Sequence, residues 1–322
     1  MKLTQSLIST VSGIVAAFSL LGLALHAAPL RVESSAQPTE WTIYYGGQKL
    51  LVYSFVPQKF KPYVKELCTL KGDNILRDSP HDHLHHHALM YGIKVNDLNF
   101  WEETPGCGVQ RVVETSKPEL GTGAGGLPQV RLTQVLHWVA PQDAFLPDTT
   151  RAALLIERRT LTLTVNEPDQ EVALHWKSEF QVGGKTNRLV LTAANYHGLG
   201  LRFLEELDPL AEHLNPGGKP DLSGTRQDVS PHPWSAVRFD VPGKPATLVL
   251  FGHSRNPRGD AQFFTMKQPF AYLAATQGLD RQPLVCKSGD QFELNYLVAL
   301  YAELKSAEAL TQRGQKWEAA QP

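Results

Sequence analysis

The sequence concentrates histidine in one short window, and this window is the feature best suited to chemistry. Five of the 12 histidines fall within seven residues, and they are His81, His83, His85, His86 and His87. Imidazole has an unperturbed pKa near neutrality, so clustered histidines can transfer protons or bind metal ions. In an extended segment alternate residues share one side, so the odd-numbered histidines would lie opposite Asp82 and His86. The window therefore predicts acid–base chemistry, a metal site or a tract that only scavenges metal.

The residues around the window predict a loop that leads into a strand. Residues 78 to 103 read DSPHDHLHHHALMYGIKVNDLNFWEE. The polar, proline-containing first half is unsuited to the middle of a buried strand, whereas the segment from Ala88 to Val95 is apolar. We therefore expect the histidines on the loop, with Trp101 and Glu102 following the strand.

Strand-like patterns dominate the rest of the chain. In residues 160 to 165 (TLTLTV) apolar residues alternate with threonine, which gives one apolar face. Similar runs occupy residues 41 to 45, 49 to 55, 130 to 139, 171 to 182, 188 to 192, 246 to 251 and 292 to 301. Gly46 and Gly47 separate the first two runs and suit a tight hairpin, because glycine tolerates positive φ angles. These patterns predict an all-β fold, a large antiparallel β-sandwich.

Domain organisation follows from the same reading. A helical pattern occurs at residues 306 to 320, with a cap at Ser306 and an interruption at Gly314, and it predicts a short C-terminal helix. We find no internal repeat and no long linker in the sequence. Residues 40 to 322 are therefore predicted to form a single β-sandwich domain, and residues 29 to 39 a disordered segment.

Residues 1 to 28 have the pattern of an export signal. Lys2 precedes a mostly apolar run, and Ala27 and Ala28 offer a cleavage site. The alternative is an uncleaved anchor, since the run approaches the ~20 residues of a spanning helix. Serine and glycine within the run favour cleavage. We therefore expect a periplasmic or secreted protein with no membrane association after cleavage.

The three cysteines leave two interpretations open. Cys68 and Cys107 form a disulfide and leave Cys286 as a thiol, or all three are buried free thiols. No C-x-x-C spacing occurs, so a thioredoxin-like or cysteine-based zinc site is not predicted.

Charge and motif content exclude several function classes. The chain has 31 Lys and Arg against 32 Asp and Glu, so no basic surplus favours nucleic acid. Gly121, Gly123 and Gly126 have the spacing of a dinucleotide fingerprint, but Pro128 and a strand pattern follow instead of a helix. G-x-x-x-x-G-K-[ST], H-E-x-x-H and G-x-S-x-G are absent from the sequence.

Several motifs resemble a secreted bacterial family of unknown function that is labelled "methane oxygenase PmoA-like". Its members typically carry D-H-x-x-H and a later N-F-W-E or D-F-W-E, which match Asp82, His83 and His86 and then residues 99 to 102. His87 and Ala88 replace the usual Arg-Gly, which puts in doubt any anion contact made by that arginine. GLGLR at residues 198 to 202, NPR at 256 to 258 and PF at 269 to 270 match as well, so the resemblance spans roughly residues 40 to 302.

The resemblance implies a fold and not an activity. It implies an antiparallel supersandwich similar to the galactose-mutarotase-like fold, whose concave sheet face commonly binds sugars. A methane monooxygenase subunit would span the membrane several times, and no segment after residue 28 is apolar enough to do so. Methane oxidation is therefore not predicted.

Candidate roles follow if that face binds a sugar. His83 and His86 are the candidate acid and base, with Asp82 orienting one imidazole and Glu102 as a further carboxyl group. The candidate substrate-binding residues are Trp101, which offers a stacking face, Arg202, His197 and Trp234.

Three function hypotheses remain at this point. The first is an exported carbohydrate-active enzyme that hydrolyses or isomerises a sugar and needs no cofactor. The second is a non-catalytic carbohydrate-binding module. The third is a metal-dependent hydrolase or metal-binding protein, in which a divalent metal is held by His81, His83, His85 and His87. The sequence indicates neither the sugar nor the oligomeric state.

Overall fold

The structure is a computed structural model that describes residues 30–57 and 59–321. Its first strands are β1 Leu30–Glu33, β2 Glu40–Tyr45, β3 Gln48–Ser54, β4 Tyr63–Leu67, β5 Leu89–Gly92, β6 Lys94–Val95, β7 Leu98–Asn99, β8 Val109–Thr115, β9 Glu119–Thr122, β10 Pro128–Val139 and β11 Leu155–Asn166. The others are β12 Glu171–Val182, β13 Arg188–Thr192, β14 Gly198–Arg202, β15 Ala211–Leu214, β16 Gln227–Pro231, β17 Trp234–Phe239, β18 Ala246–Gly252, β19 Gln262–Met266, β20 Tyr272–Thr276, β21 Leu284–Lys287 and β22 Gln291–Tyr301. Within the described residues, one α-helix, α1, covers Ala307–Ala320, and three 3-10 turns cover Ala124–Gly126, Pro141–Asp143 and Glu205–Leu210.

The strands form two large sheets and one small one. The first sheet has the order β1-β2-β3-β4-β5-β14-β20-β19-β16. The second sheet has the order β15-β17-β18-β22-β12-β11-β10-β8, with β9 also on β10, and the small sheet is β21-β13-β6-β7. Neighbouring strands pair antiparallel, including the long β10, β11 and β12. The predicted all-β antiparallel sandwich with a C-terminal helix is confirmed.

Side-chain alternation divides the first sheet into an inner and an outer face. Leu273 and Ala275 of β20 point into the main core between the two large sheets. Tyr272 and Ala274, the alternate residues of the same strand, belong to a separate aromatic cluster on the outer face. Because successive side chains of a strand point to opposite sides, this strand supports the core and also carries a second surface. The histidine window lies over that outer surface.

The helix α1 covers the outer face of the second sheet. It begins as predicted, because the Ser306 hydroxyl accepts a hydrogen bond from the Ala309 amide at 3.2 Å. The predicted interruption at Gly314 is wrong, since the helix runs through that residue. A Cβ atom at Gly314 would lie 2.9 Å from the Phe251 ring, so glycine allows the helix to approach the sheet closely. Trp317 is buried in the same contact.

The N-terminal boundary and the cysteines differ in part from expectation. Leu30–Glu33 is a strand paired with β2, so residues 30 to 39 are not uniformly disordered, because backbone hydrogen bonds hold this segment to the sheet. The predicted signal segment, residues 1 to 28, lies outside the described residues. All three cysteines are buried free thiols, as in the second of the two interpretations, and Cys68 and Cys107 form no disulfide. None of the helices in the described part is long and apolar enough to cross a membrane.

An ion pair lies inside the main core. Glu157 and Arg159 of β11 are 0% and 1% exposed, and Arg159 Nε donates to Glu157 Oε1 at 2.8 Å. Trp138 Nε1 and the Ser178 hydroxyl also donate to the Glu157 carboxylate. Arg159 Nη1 donates to the Pro62 carbonyl, which lies just before β4 of the first sheet. The pair therefore joins the second sheet to the start of β4 in the first sheet. The strand next to β4 is β5, which follows the histidine loop.

Candidate functional site

A cavity of about 380 Å³ opens over the outer face of the first sheet. Its floor comes from β19, β20 and the loop between them, and its wall from the histidine loop and the loop after β7. The lining residues are His83, His85, His86, Glu102, Tyr196, Gln227, Phe264, Met266, Pro269, Phe270 and Tyr272. Three of the four predicted catalytic residues therefore meet in one cavity. Their neighbours are mostly aromatic, which is typical of a small-molecule site.

His86 is the buried member of the histidine group. Its ring stacks on the His83 ring with centroids 4.6 Å apart and on the Tyr272 ring at 5.7 Å. Burial, followed by the charges of His85, His83 and Arg202, lowers the pKa of His86 to about 3. His86 is therefore neutral at pH 7, where it can accept or donate a hydrogen bond but cannot act as a protonated acid.

His83 is half-buried and lies beside Asp82. The distance from His83 Nδ1 to Asp82 Oδ2 is 3.1 Å, an ion-pair distance without the alignment of a hydrogen bond. Slight burial raises the pKa of the Asp82 carboxyl, but contact with His83 and the backbone outweighs it, so the pKa is lowered overall. An ionised carboxylate beside a half-exposed imidazole is the arrangement expected of an acid–base residue and its orienting partner.

Trp101 supports the cavity from below and does not line it. Its side chain is 0% exposed, and its ring stacks on the His197 ring at 4.9 Å with an interplanar angle of 13°. Gly200 of β14 lies beneath, and a Cβ atom there would be 2.0 Å from the Tyr272 hydroxyl and 2.8 Å from Trp101 Cη2. Trp101 therefore cannot offer the stacking face that the sequence predicted, because its ring is enclosed.

We expect Gly200→Ala to destabilise the protein by about 1 to 3 kcal/mol, because Trp101 and Tyr272 must move to admit a methyl group. Urea unfolding measures the change. Gly121→Ala is the matched control, since a Cβ atom there meets nothing within 4 Å. Equal stability of the two variants would mean that the contact at Gly200 does not fix the floor of the cavity.

Arg202 lies under the aromatic floor. It is 3% exposed, its guanidinium carbon is 3.6 Å from the centre of the Phe270 ring, and Nη1 is 3.6 Å from Asp208 Oδ2. Burial lowers the pKa of Arg202 below its ordinary value. Arg202 therefore borders the site through Phe270, which lines the cavity itself.

The structure does not bring Trp234 to the site. It is 1% exposed and lies on the outer face of the second sheet, where its Nε1 donates to the Thr311 hydroxyl of α1 at 3.2 Å. Its neighbour in sequence, Pro233, precedes β17, and this strand belongs to the other large sheet. Trp234 is therefore a packing residue for the helix, and its predicted role in substrate binding is wrong.

Of the 14 buried side-chain polar atoms that lack a hydrogen-bond partner in the described residues, seven lie in or beneath this cavity. They are His83 Nδ1, His86 Nδ1, Trp101 Nε1, His197 Nδ1, Arg202 Nε and Nη1, and the Tyr272 hydroxyl. Buried polar groups are normally bonded, because an unsatisfied one costs roughly 1 to 3 kcal/mol. Their concentration at one place marks this region as suited to a ligand or ordered water that supplies hydrogen bonds.

His87 anchors the histidine loop. Its ring is buried against Tyr63 with centroids 4.0 Å apart, Nδ1 donates to Asp78 Oδ1 at 2.7 Å, and Nε2 donates to Glu103 Oε1 at 2.9 Å. Lys61 Nζ donates to the same Glu103 oxygen at 2.7 Å. His87 therefore contacts anions, and these anions are the protein's own carboxylates.

The hydrogen bonds of this network favour the charged forms of both His87 and Glu103. Burial would lower the pKa of His87, but its bonds to the two carboxylates raise it above the ordinary value of 6.5. Burial would raise the pKa of Glu103, but His87 and Lys61 lower it to about 2. The pair ties the loop of His83 and His86 to the loop of Glu102.

We expect His87→Gln to lose most stability relative to the wild type between about pH 4.5 and 6.5. The contribution of a raised histidine pKa is present below 6.5 and is lost as pH rises through the folded-state pKa. The contribution of Glu103 is present above 4.5 and is lost as pH falls toward 2. Urea unfolding from pH 4 to 9 measures the difference, with exposed His81→Gln as control. A difference that grows above pH 7 would contradict a raised pKa of His87.

The structure does not assemble the predicted metal ligands. Both ring nitrogens of His87 are bonded to carboxylates, and His81 is exposed and does not line the cavity. Across residues 30–57 and 59–321, no group of three or more histidine, cysteine or acidic side chains is placed to hold a metal ion. The alternating histidines lie on a turn and not on an extended strand. The expectation that alternate side chains point to the same side holds for a strand and therefore does not apply to them.

Sequence reasoning missed the aromatic floor and the anchoring carboxylate. Phe264 and Tyr272 lie on strands that are distant from the histidines in sequence, and Tyr196 lies in the loop before β14. Only Phe270 had a signal, since it belongs to the PF motif at residues 269 to 270. Glu103 follows Glu102 directly, and no local pattern distinguishes a buried carboxylate from an exposed one.

The comparisons with known proteins identify a family. A model described as "Family of unknown function (DUF6807)" matches residues 40–314, which is most of the chain. The description of this family does not contain the name "PmoA-like", which belongs to the family that the sequence motifs resemble. No curated protein matches the sequence.

Several solved structures align with the chain at low identity. The GH36 alpha-galactosidase AgaB from Geobacillus stearothermophilus is 12% identical over 84% of this chain and 40% of that chain, with a TM-score of 0.48. An alpha-galactosidase from Lactobacillus brevis is 8% identical over 89% and 41%, with a TM-score of 0.43. A galactose mutarotase related enzyme from Lactobacillus acidophilus is 8% identical over 86% and 100%, with a TM-score of 0.34. This chain thus spans about 40% of the length of the alpha-galactosidases.

Proposed function

This chain belongs to the DUF6807 family of unknown function, and we propose that it binds a neutral carbohydrate in the cavity above β19 and β20 and acts on it by acid–base chemistry. The observation that carries the proposal is the set of unpartnered buried polar atoms beside an aromatic floor. A sugar has hydroxyl groups that satisfy the unpartnered atoms of the lining residues His86 and Tyr272, and it has apolar C–H faces that pack on the aromatic floor.

The cavity offers an acid–base pair. His83, oriented by Asp82, transfers a proton, and Glu102 on the neighbouring loop is the second group. In hydrolysis one of them protonates the leaving oxygen while the other takes a proton from water, and in isomerisation the two exchange protons with the sugar. The pKa of His86, lowered to about 3, keeps this imidazole uncharged at pH 7. In this form it hydrogen-bonds a sugar hydroxyl and takes no part in proton transfer.

We further propose that the protein acts after export, in the periplasm or outside the cell. The support is the pattern of residues 1 to 28, in which a lysine, an apolar run and small residues follow one another. Detection of a mature N-terminus near residue 29 in a native extracellular or periplasmic fraction tests this point. A full-length N-terminus in the cytoplasm would contradict it.

The binding test uses a panel of neutral mono- and oligosaccharides with isothermal titration calorimetry. We expect at least one sugar to bind, and Tyr272→Phe to weaken that binding about 10-fold, because it removes a buried hydroxyl that has no protein partner. Tyr44→Phe, on β2 between β1 and β3 and outside the cavity lining, is the matched control and is expected to bind normally.

Each outcome of the panel has a meaning. Binding followed by a chemical change of the sugar supports the proposal in full. Binding without any change contradicts the catalytic half and leaves a carbohydrate-binding module. A panel in which no sugar binds at millimolar concentration contradicts the proposal.

A further inference from the structure

A second cavity lies against the same wall as the first. It has a volume of about 340 Å³, and His85 and Glu102 line both cavities. Both volumes fall in the range of small-ligand sites, which begins at roughly 300 Å³. The His85 imidazole and the Glu102 carboxylate thus separate the two cavities. A ligand that extends from one cavity into the other would have its connecting bond beside these two groups.

The chemistry of the second cavity differs from that of the first. None of the described residues that line it is Phe, Tyr or Trp. Besides His85 and Glu102, the lining residues are Lys59, Ser79, Leu84, Glu103 and Thr104. The first cavity has a floor of aromatic rings. A sugar ring would thus be packed by apolar contact in the first cavity and held by hydrogen bonds in the second.

Glu103 provides a fixed acceptor in the second cavity. His87 and Lys61 both donate to its Oε1 atom, and no residue in the described ranges bonds to its Oε2 atom. The same two donors lower the pKa of Glu103 to about 2, so the carboxylate is ionised. An ionised oxygen held in place by a buried network accepts a hydrogen bond from a hydroxyl at little entropic cost. With Glu102 beside it, the same oxygen disfavours an acidic ligand.

We propose that the substrate is a neutral oligosaccharide of at least two units that crosses the wall formed by His85 and Glu102. One unit lies on the aromatic floor, the next lies in the second cavity with a hydroxyl on Glu103 Oε2, and the bond between them passes Glu102. This inference rests on the proposed function, because it assigns the chain length and direction of a ligand in the same site.

The test compares binding of matched series that differ only in length. The probes are glucose with cellobiose and maltose, galactose with galactobiose, mannose with mannobiose, and xylose with xylobiose. Where a series binds, we expect the disaccharide to bind about 10-fold more tightly than its monosaccharide, because the second unit adds contacts. Leu84→Trp fills the second cavity from an exposed position, with Leu84 67% exposed, and is expected to remove that gain without weakening the monosaccharide.

Leu120→Trp is the control, since Leu120 is also exposed, at 56%, and lies by a different groove. It is expected to leave both affinities unchanged. Equal affinity for both lengths, or a gain that survives Leu84→Trp, would overturn the two-cavity substrate while leaving the proposed function intact. Absence of binding in every series would overturn both.

Discussion

Glu102→Gln is expected to lower the turnover of any sugar processed in the cavity by about 100-fold or more, because an amide cannot transfer the proton that a carboxyl group can. The substitution keeps the size of the side chain. No residue of the described ranges bonds to the Glu102 carboxylate, whereas its backbone amide donates to Asn99 Oδ1 at 3.2 Å. The loop therefore keeps its anchor, and we expect the melting temperature and the Kd for the sugar to change little.

The measurement is initial-rate kinetics on the sugar identified by the panel. Glu114→Gln, an exposed glutamate on β8, is the matched control and is expected to retain full turnover. A Glu102→Gln variant with wild-type kcat would remove Glu102 from the reaction. A loss confined to KM would make it a binding residue instead.

Arg159→Ala is expected to destabilise the protein by about 3 to 5 kcal/mol, which is the largest stability effect we expect. The Glu157 carboxylate would remain in the core at 0% exposure without its counter-charge, and the Pro62 carbonyl would lose its donor. Because Pro62 precedes β4, the loss would also loosen the attachment between the two large sheets.

Arg158→Ala is the matched control for this prediction. Arg158 is the preceding residue of β11 and is exposed on the opposite side of the strand. Surface substitutions usually change the free energy of unfolding by less than about 0.5 kcal/mol. Urea unfolding of both variants measures the difference, and a loss of less than 1 kcal/mol in Arg159→Ala would show that the core ion pair contributes little.

The sequence predicted the strands well because their signal is local. In β11 the alternation of leucine with threonine records which side faces the core, and β12 and β13 have the bounds that their apolar patterns indicated. The hairpin between β2 and β3 was predicted equally well from the sequence, since its two glycines, Gly46 and Gly47, both adopt the positive φ angles expected of them. The pairing order of the two sheets had no such signal, because it joins strands far apart in sequence.

The site was only partly predictable for the same reason. His83, His86 and Glu102 lie on two loops close in sequence, and their clustering was visible. The role of His87 was not visible, since its two partners, Asp78 and Glu103, become partners only when the loops fold together. An aromatic residue near a turn gives no local sign of which sheet it covers, and Trp234 accordingly belongs to the helix contact.

The central claim is that the outer face of the first sheet holds a sugar between the histidine loop and the aromatic floor. A crystal structure of the protein with the best-binding sugar of the panel tests it most directly. We expect the sugar ring to lie on Phe264 and Phe270, with hydroxyl groups within hydrogen-bond distance of His86 and the Tyr272 hydroxyl. A sugar bound on any other surface, with this cavity filled only by water, would contradict the claim.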